Sequence, residues 1–192
     1  AGNSFAYTSV YNFISDPEAA MSADEKWMDQ WDEGFKFLEE LHPYMYKSGG
    51  SIVYPQKNQG TLDLLANGEI DMCPNWADMC LSQRAAGTIP ASIKITTIQP
   101  SFTGSVQCLA IPKNGSNPEG AYDFINYVMS SEGQETLVKD MAAIPLIDTS
   151  SMDISGYEDL QGLDVSNFRI LSIGDLTSRF NERWDNEIGA LG

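Results

Sequence analysis

Three observations in the chain predict an α/β fold: short β-rich runs with a period near two, longer apolar stripes with a period near 3.6, and the alternation of the two along the sequence. The β-rich runs are NSFAYTS, EIDMC, SIKITTIQP and SVQCLAIP, each bounded by Gly, Pro or polar residues. In open α/β sheets ligands bind beyond the carboxyl ends of strands, so the loops that follow these runs are where binding residues are sought.

NSFAYTS is expected as an opening strand that gives way to a loop at Val10, Tyr11 and Asn12. From Ala23 to Leu41, Trp27, Trp31, Phe35, Leu38 and Leu41 recur at three- and four-residue spacing while the acids fall largely on other faces, which predicts one long amphipathic helix. The stretch KSGGSIVYPQKNQG reads as a loop around a short strand, and Thr61 to Asn67 as a brief helix stopped by Gly68. EIDMC is then a strand ended by Pro74, and WADMCLSQRAAG a helix that stops at Gly87. SIKITTIQP and SVQCLAIP follow as strands. In NPEGAYDFINYVM, Asn117 is placed to cap, Pro118 to occupy the first helical position, and Phe124, Ile125, Val128 and Met129 to share a face. Ser131 and Gln134 have the spacing of a capping box, with Leu137, Val138 and Met141 expected inside. On the last helix Leu176, Phe180, Trp184 and Ile188 lie four apart as a packing stripe.

With 192 residues, 42% of them hydrophobic, the chain is long enough to bury a real core as one large domain or two small lobes. Eleven basic against 27 acidic residues give a formal charge of -16, which argues against nucleic acid or an anionic membrane as partner, because phosphate binding needs basic surface. A cationic ligand is permitted by this charge but not implied by it. No run of about 18 apolar residues is present, and AGNSFAYTSVY lacks the basic and apolar regions of a signal peptide. Cys73, Cys80 and Cys108 are read as small core residues, with a Cys73–Cys80 disulfide as the alternative.

Signals for catalysis are sparse. His42, the lone histidine, sits beside Pro43 at a helix end and is read as a capping or surface residue; it supports neither a zinc cluster nor a triad. Phosphate-binding, dinucleotide, nucleophile-elbow and EF-hand patterns do not occur, and no cofactor or metal site is expected. A glycosidase needs only two carboxylates, so the acids by themselves do not exclude an enzyme.

The segment LLANGEIDMCPNWADMCLSQRAAG resembles the helix, strand and helix of bacterial extracellular solute-binding proteins, the receptors of ABC importers, in which an "nGeiDm…W" pattern introduces a ligand-facing loop. FTGSVQCLAIPKNGSNPEGAYDFINYVMSSEGQETL resembles the same family's "lAIPkgakNPeaAy" segment. The resemblance spans roughly Leu62 to Pro145, in the expected order, and lies nearest the thiamine, polyamine and iron receptors.

This resemblance implies a type II periplasmic-binding-protein-like α/β fold, in which two lobes close on a solute. Residues 1–107 would form most of lobe two, 108–145 would cross to lobe one, and 146–192 would return. It implies non-catalytic capture of a small-molecule solute and its delivery to permease subunits; a hydrolase or transferase on a similar scaffold is the alternative. The implied ligand-binding residues are Tyr11, Asn12, Asn75, Trp76, Asp78, Ser101, Thr103 and Ser105. Trp76 would stack on a planar or cationic solute, or else pack on the next helix; Asp78 would neutralise a positive group, or else sit in the first helical turn, favoured by the dipole. Gly104 would let backbone amides approach a ligand, or else its loop, PSFTGSVQ, is a plain strand connection. Polyamine receptors carry an aromatic and an acid where this chain has Ser105 and Gln107, a departure from that subgroup. Members of the family also have a first lobe ahead of a strand like FAYTS, so the chain is expected to be a C-terminal fragment that self-associates through surface the missing lobe would cover. The implied location is extracellular or periplasmic, with the full-length parent held as a lipoprotein.

Overall fold

The structure, a computed structural model, describes residues 1–105, 107–163 and 168–191. The chain divides into two compact units, the first made of Ala1–Asn75, Thr97–Gly104 and Val165–Gly192, the second of Trp76–Thr96 and Ser105–Asp164.

The first unit holds helices α1 (Gly2–Tyr11), α2 (Asp32–Leu41), α3 (Lys57–Ala66) and α7 (Leu176–Glu187). The second holds α4 (Ala77–Ala85), α5 (Pro118–Val128) and α6 (Ser131–Met141). Among the described residues the only ladder is an antiparallel pair in the first unit, β1 (Lys47–Ser48) with β2 (Ser51–Ile52), in register Lys47 to Ile52 and Ser48 to Ser51.

The helices of the α/β pattern are present, whereas the four runs expected as strands take other forms. NSFAYTS lies inside α1. Read with a helical period and continued to Tyr11, the run places Ala6 and Val10, and Tyr7 and Tyr11, one turn apart. Intrinsic propensity separates ordinary residues by no more than about 0.7 kcal/mol each, so burial of Ala6, Val10 and Tyr11 outweighs the β preference of the run. EIDMC, SIKITTIQP and the described part of SVQCLAIP, which excludes Val106, have irregular backbone. A strand needs a neighbour to take its hydrogen bonds, and period-two alternation supplies none. Met72 is 84% exposed and Leu109 53%, so neither run is a buried strand.

The expected helix from Ala23 to Leu41 is two pieces. Asp24 accepts a hydrogen bond from the Lys26 amide and opens a 3-10 turn, Glu25–Gln30; α2 then starts beyond Trp31. Of the stripe, Trp27, Trp31, Phe35 and Leu38 are buried, while Leu41 at the end of α2 is only half-buried. Together with Ala6, Val10, Tyr11, Ile14, Ile173, Leu176, Phe180 and Ile188 they form the core of the first unit. Phe180 is its hub, with its ring 4.6 Å from Tyr7, 5.4 Å from Trp31 and 5.0 Å from Phe35. The stripe on α7 holds as read: Leu176, Phe180 and Ile188 are buried, and Trp184 packs against them half-buried.

His42 is not a surface residue. It is buried in the turn that closes α2, its Nε2 shares a 2.8 Å hydrogen bond with the Tyr54 hydroxyl, and Tyr54 meets Trp184 edge-on at 5.0 Å. The aromatic lid explains the burial that its place beside Pro43 did not suggest. No disulfide joins the cysteines; Cys80 is buried, Cys73 intermediate and Cys108 exposed. Only Cys80 is therefore the core residue expected, and burial pushes its thiol pKa up.

In the second unit Leu81, Val138, Ala142, Ile154 and Leu160 form a smaller core. Arg84 of α4 pairs with Asp159 and also donates to the Ile93 carbonyl at 3.2 Å, tying three segments together. Asn117 caps α5 as read, accepting from the Gly120 amide at 3.0 Å. On α6 the cap is Ser130, one residue earlier than expected, accepting from the Gly133 amide at 3.1 Å. Gln134 is thereby freed from capping: it donates to the Val128 carbonyl and accepts from the Leu146 amide, both within 2.9 Å. Met141, expected inside, is exposed, and α5 carries no buried residue at all.

Helices α1 and α2 approach closely at Gly34, where an added Cβ would lie 2.5 Å from the Val10 Cα. Because that neighbour is backbone, it cannot rotate away. Gly34→Ala is expected to lower stability despite the helix propensity of alanine, through overpacking worth about 1–3 kcal/mol. Urea unfolding checks it: an unchanged or raised midpoint would show that α1 and α2 do not cross there.

Candidate functional site

The residues expected to bind are distributed over both units. In the first, Tyr11 is not at a loop but at the end of α1, buried against Trp31 at 6.4 Å between ring centroids. Burial raises its phenol pKa, the Trp31 indole opposing this in part, and its hydroxyl finds no hydrogen-bond partner of normal geometry among the described residues. Asn12 is exposed at the C-terminal cap of the same helix. Asn75 is half-buried and donates from Nδ2 to the Asn58 carbonyl at 3.1 Å.

In the second unit, Trp76 is the N-cap residue of α4, half-buried, its carbonyl accepting from the Cys80 amide. Asp78 stands exposed in the first turn of α4, where a carboxylate faces the positive end of the helix dipole. Ser105 is exposed on irregular backbone.

Ser101 and Thr103 are brought together with a residue that the sequence reading did not single out. The segment from Ser101 to Gly104 runs parallel to Phe168 and Arg169, with Thr103 and Arg169 paired in a β-bridge. The Gly104 amide donates to the Arg169 carbonyl at 3.1 Å, and the Arg169 amide to the Phe102 carbonyl at 3.4 Å. The Arg169 side chain turns back along the same seam, its Nε donating to the Ser101 carbonyl at 2.8 Å. Ser101 is buried, with its own hydroxyl turned to the Phe102 carbonyl at 3.2 Å, while Thr103 stays half-buried. Phe5 of α1 packs on Phe102 with ring centroids 5.8 Å apart, fixing the seam to the first unit's helices.

Gly104 is needed here for a reason other than the one expected. A Cβ at that position would lie 2.4 Å from a Phe168 ring carbon, so the glycine makes room for an aromatic ring, and its amide is spent on Arg169. One signal in the sequence could have exposed Arg169: it is a cation set between Phe168 and Ile170 in a strongly acidic chain.

A cleft of about 380 Å³ elsewhere in the first unit is lined by Asp32, Phe35, Lys36, Glu39, Arg183, Glu187 and Ile188. Its arginine is already committed, at 2.9 Å to Asp32 and 3.0 Å to Glu187, with the guanidinium 4.2 Å from the Phe35 ring centroid. None of the expected binding residues lines it. Among the described residues, no group of three or more His, Cys, Asp or Glu is placed to hold a metal, and no helix is long and apolar enough to cross a membrane.

The sequence model for bacterial extracellular solute-binding proteins matches residues 4–159. The chain therefore belongs to that family. Comparison with curated proteins and with solved structures gives no match.

The seam yields a structural prediction. Gly104→Ala is expected to destabilise the chain by about 1–3 kcal/mol through collision with Phe168, and to cost less when Phe168→Ala is present as well. A double-mutant cycle by chemical denaturation measures the coupling. Additive effects would place the Phe168 ring away from Gly104.

Proposed function

We propose that this chain serves non-catalytic capture of a small solute outside the bacterial membrane, for delivery to the permease of an ABC importer. The observation that carries the reading is the family match, which covers most of the chain from Ser4 onward. A receptor of this kind works by differential affinity: solute favours one form of the protein, and the permease reads that form. The parent receptor would keep close to its permease through a lipid anchor, which limits loss of loaded receptor by diffusion.

Within the first unit, Ser101 and Thr103 are the candidates the geometry supports best, because hydrogen bonding along the seam with Arg169 holds their backbone in place. A binding group gains from such support, since little of its freedom remains to be lost when the solute arrives. Trp76 is the candidate in the second unit, its half-buried indole carried at the start of α4. Asp78 has the ordinary surroundings of a first-turn carboxylate and adds little to the reading.

The proposal is tested by thermal-shift measurements on the chain with thiamine, polyamines, ferric chelates, sugars and oxyanions. A solute that binds only the folded state stabilises it by about 2.7 kcal/mol at a hundred times its Kd, so a saturable rise in Tm is expected for one class. Thr103→Ala or Trp76→Ala should reduce that rise without changing the Tm of the unliganded chain by a comparable amount. Turnover of a compound without saturable binding of any solute would contradict the receptor reading.

A further inference from the structure

We propose that Arg169, with Thr103 beside it on the seam, is the recognition point for an anionic group on the solute, a carboxylate or a phosphoryl oxygen. The proposal rests on the receptor reading and names the chemistry of its ligand. Its first support is a comparison among the arginines. The chain has four, and three pair with acids: Arg84 with Asp159, Arg179 with Glu182, and Arg183 with Asp32 and Glu187. Arg169 has no acidic partner among the described residues, although acids outnumber bases 27 to 11.

The second support is the state of its guanidinium. The group offers five N–H donors in a planar fork. Nε is used on the Ser101 carbonyl, whereas Nη2 is buried and has no hydrogen-bond partner among the described residues. A buried donor left unpaired is costly, more so on a charged group, and burial here also pulls the guanidinium pKa below its usual value. An arginine kept only for structure would spend its fork on carbonyls or carboxylates. One held through Nε, with a buried Nη2 unpaired among the described residues, is oriented and left in want of an oxyanion.

The third support is the neighbourhood. Thr103 is opposite Arg169 in the bridge and contributes a hydroxyl that can donate to the same anion, and the residues around them, Phe5, Phe102 and Phe168, are apolar. In such surroundings a charge pair is screened less than in water, and a fork-shaped donor matches the two oxygens of a carboxylate or phosphoryl group. Lysine would retain the charge at this position but lose the fork.

The test is an NMR titration of the chain with inorganic phosphate and, separately, with succinate, at ionic strength held constant with sodium chloride. Putrescine and glucose serve as cationic and neutral controls. The signal followed is the Arg169 Nε–H resonance, assigned by its disappearance in Arg169→Lys, with Tm measured in parallel. At least one anion is expected to move that resonance and raise Tm, with Arg169→Lys weakening the effect by about tenfold or more and Arg169→Gln removing it. Response to phosphate alone assigns a phosphoryl group, and response to succinate alone a carboxylate. An unmoved Nε–H signal with both anions overturns the proposal, as does an anion-induced rise in Tm that survives in Arg169→Gln. If putrescine or glucose binds while both anions fail, the anion assignment falls and the receptor reading stands. If the wider solute screen also finds nothing, both fall.

Discussion

The packing of one aromatic ring organises the first unit. Phe180 of α7 meets Tyr7 of α1 edge-on and lies against Trp31 and Phe35 at the start of α2, so residues near the two ends of the chain share one core. The Tyr7 hydroxyl adds a 2.7 Å hydrogen bond to Asn181, and the Ser172 amide donates to the Ala20 carbonyl at the same distance. Removing a buried phenylalanine typically costs about 3–5 kcal/mol, a large share of the stability of a domain this size. The segment that carries Phe168 and Arg169 leads directly into α7. Its register against Ser101–Gly104 thus depends on α7 being docked, and so does the orientation of the Arg169 guanidinium.

What could be read from the sequence follows from how local each signal is. The stripes on α2 and α7 were legible because a row of large apolar residues at helical spacing means the same thing wherever the helix packs. The Asn117 cap of α5 was legible because its determinants lie within one turn. Strands were not, since a strand exists only with a neighbour, and nothing in NSFAYTS or EIDMC says whether one is present. In the first case a helical period was hidden under a β-rich composition. His42 and Arg169 escaped for a related reason: the residues that enclose them, Tyr54 for one and Ser101 for the other, come from distant stretches of chain.

The same logic applies to the site. Family resemblance pointed to the loop before SVQCLAIP and to the stretch after EIDMC. Resemblance did not separate residues that are poised to bind from those spent on structure. The Tyr11 ring is core and Gly104 accommodates Phe168, while Thr103 stays half-buried beside Arg169. The strongly acidic composition permits a cationic ligand; the one arginine without an acidic partner among the described residues argues for the opposite sign. Net charge is an average over the surface, and recognition is decided by the few groups the fold removes from water. The second unit poses a different matter, because α5 turns Tyr122, Phe124 and Tyr127 outward.

The dependence of the seam on α7 is tested most directly by native-state hydrogen exchange resolved by residue. The amides of α1, α2 and α7 should open with one common free energy, and the Gly104 amide, which donates to the Arg169 carbonyl, should share it or open just below it. Exchange of α7 at a much lower free energy than α1, with Gly104 still protected, would show that the seam holds without the aromatic core and would contradict this account.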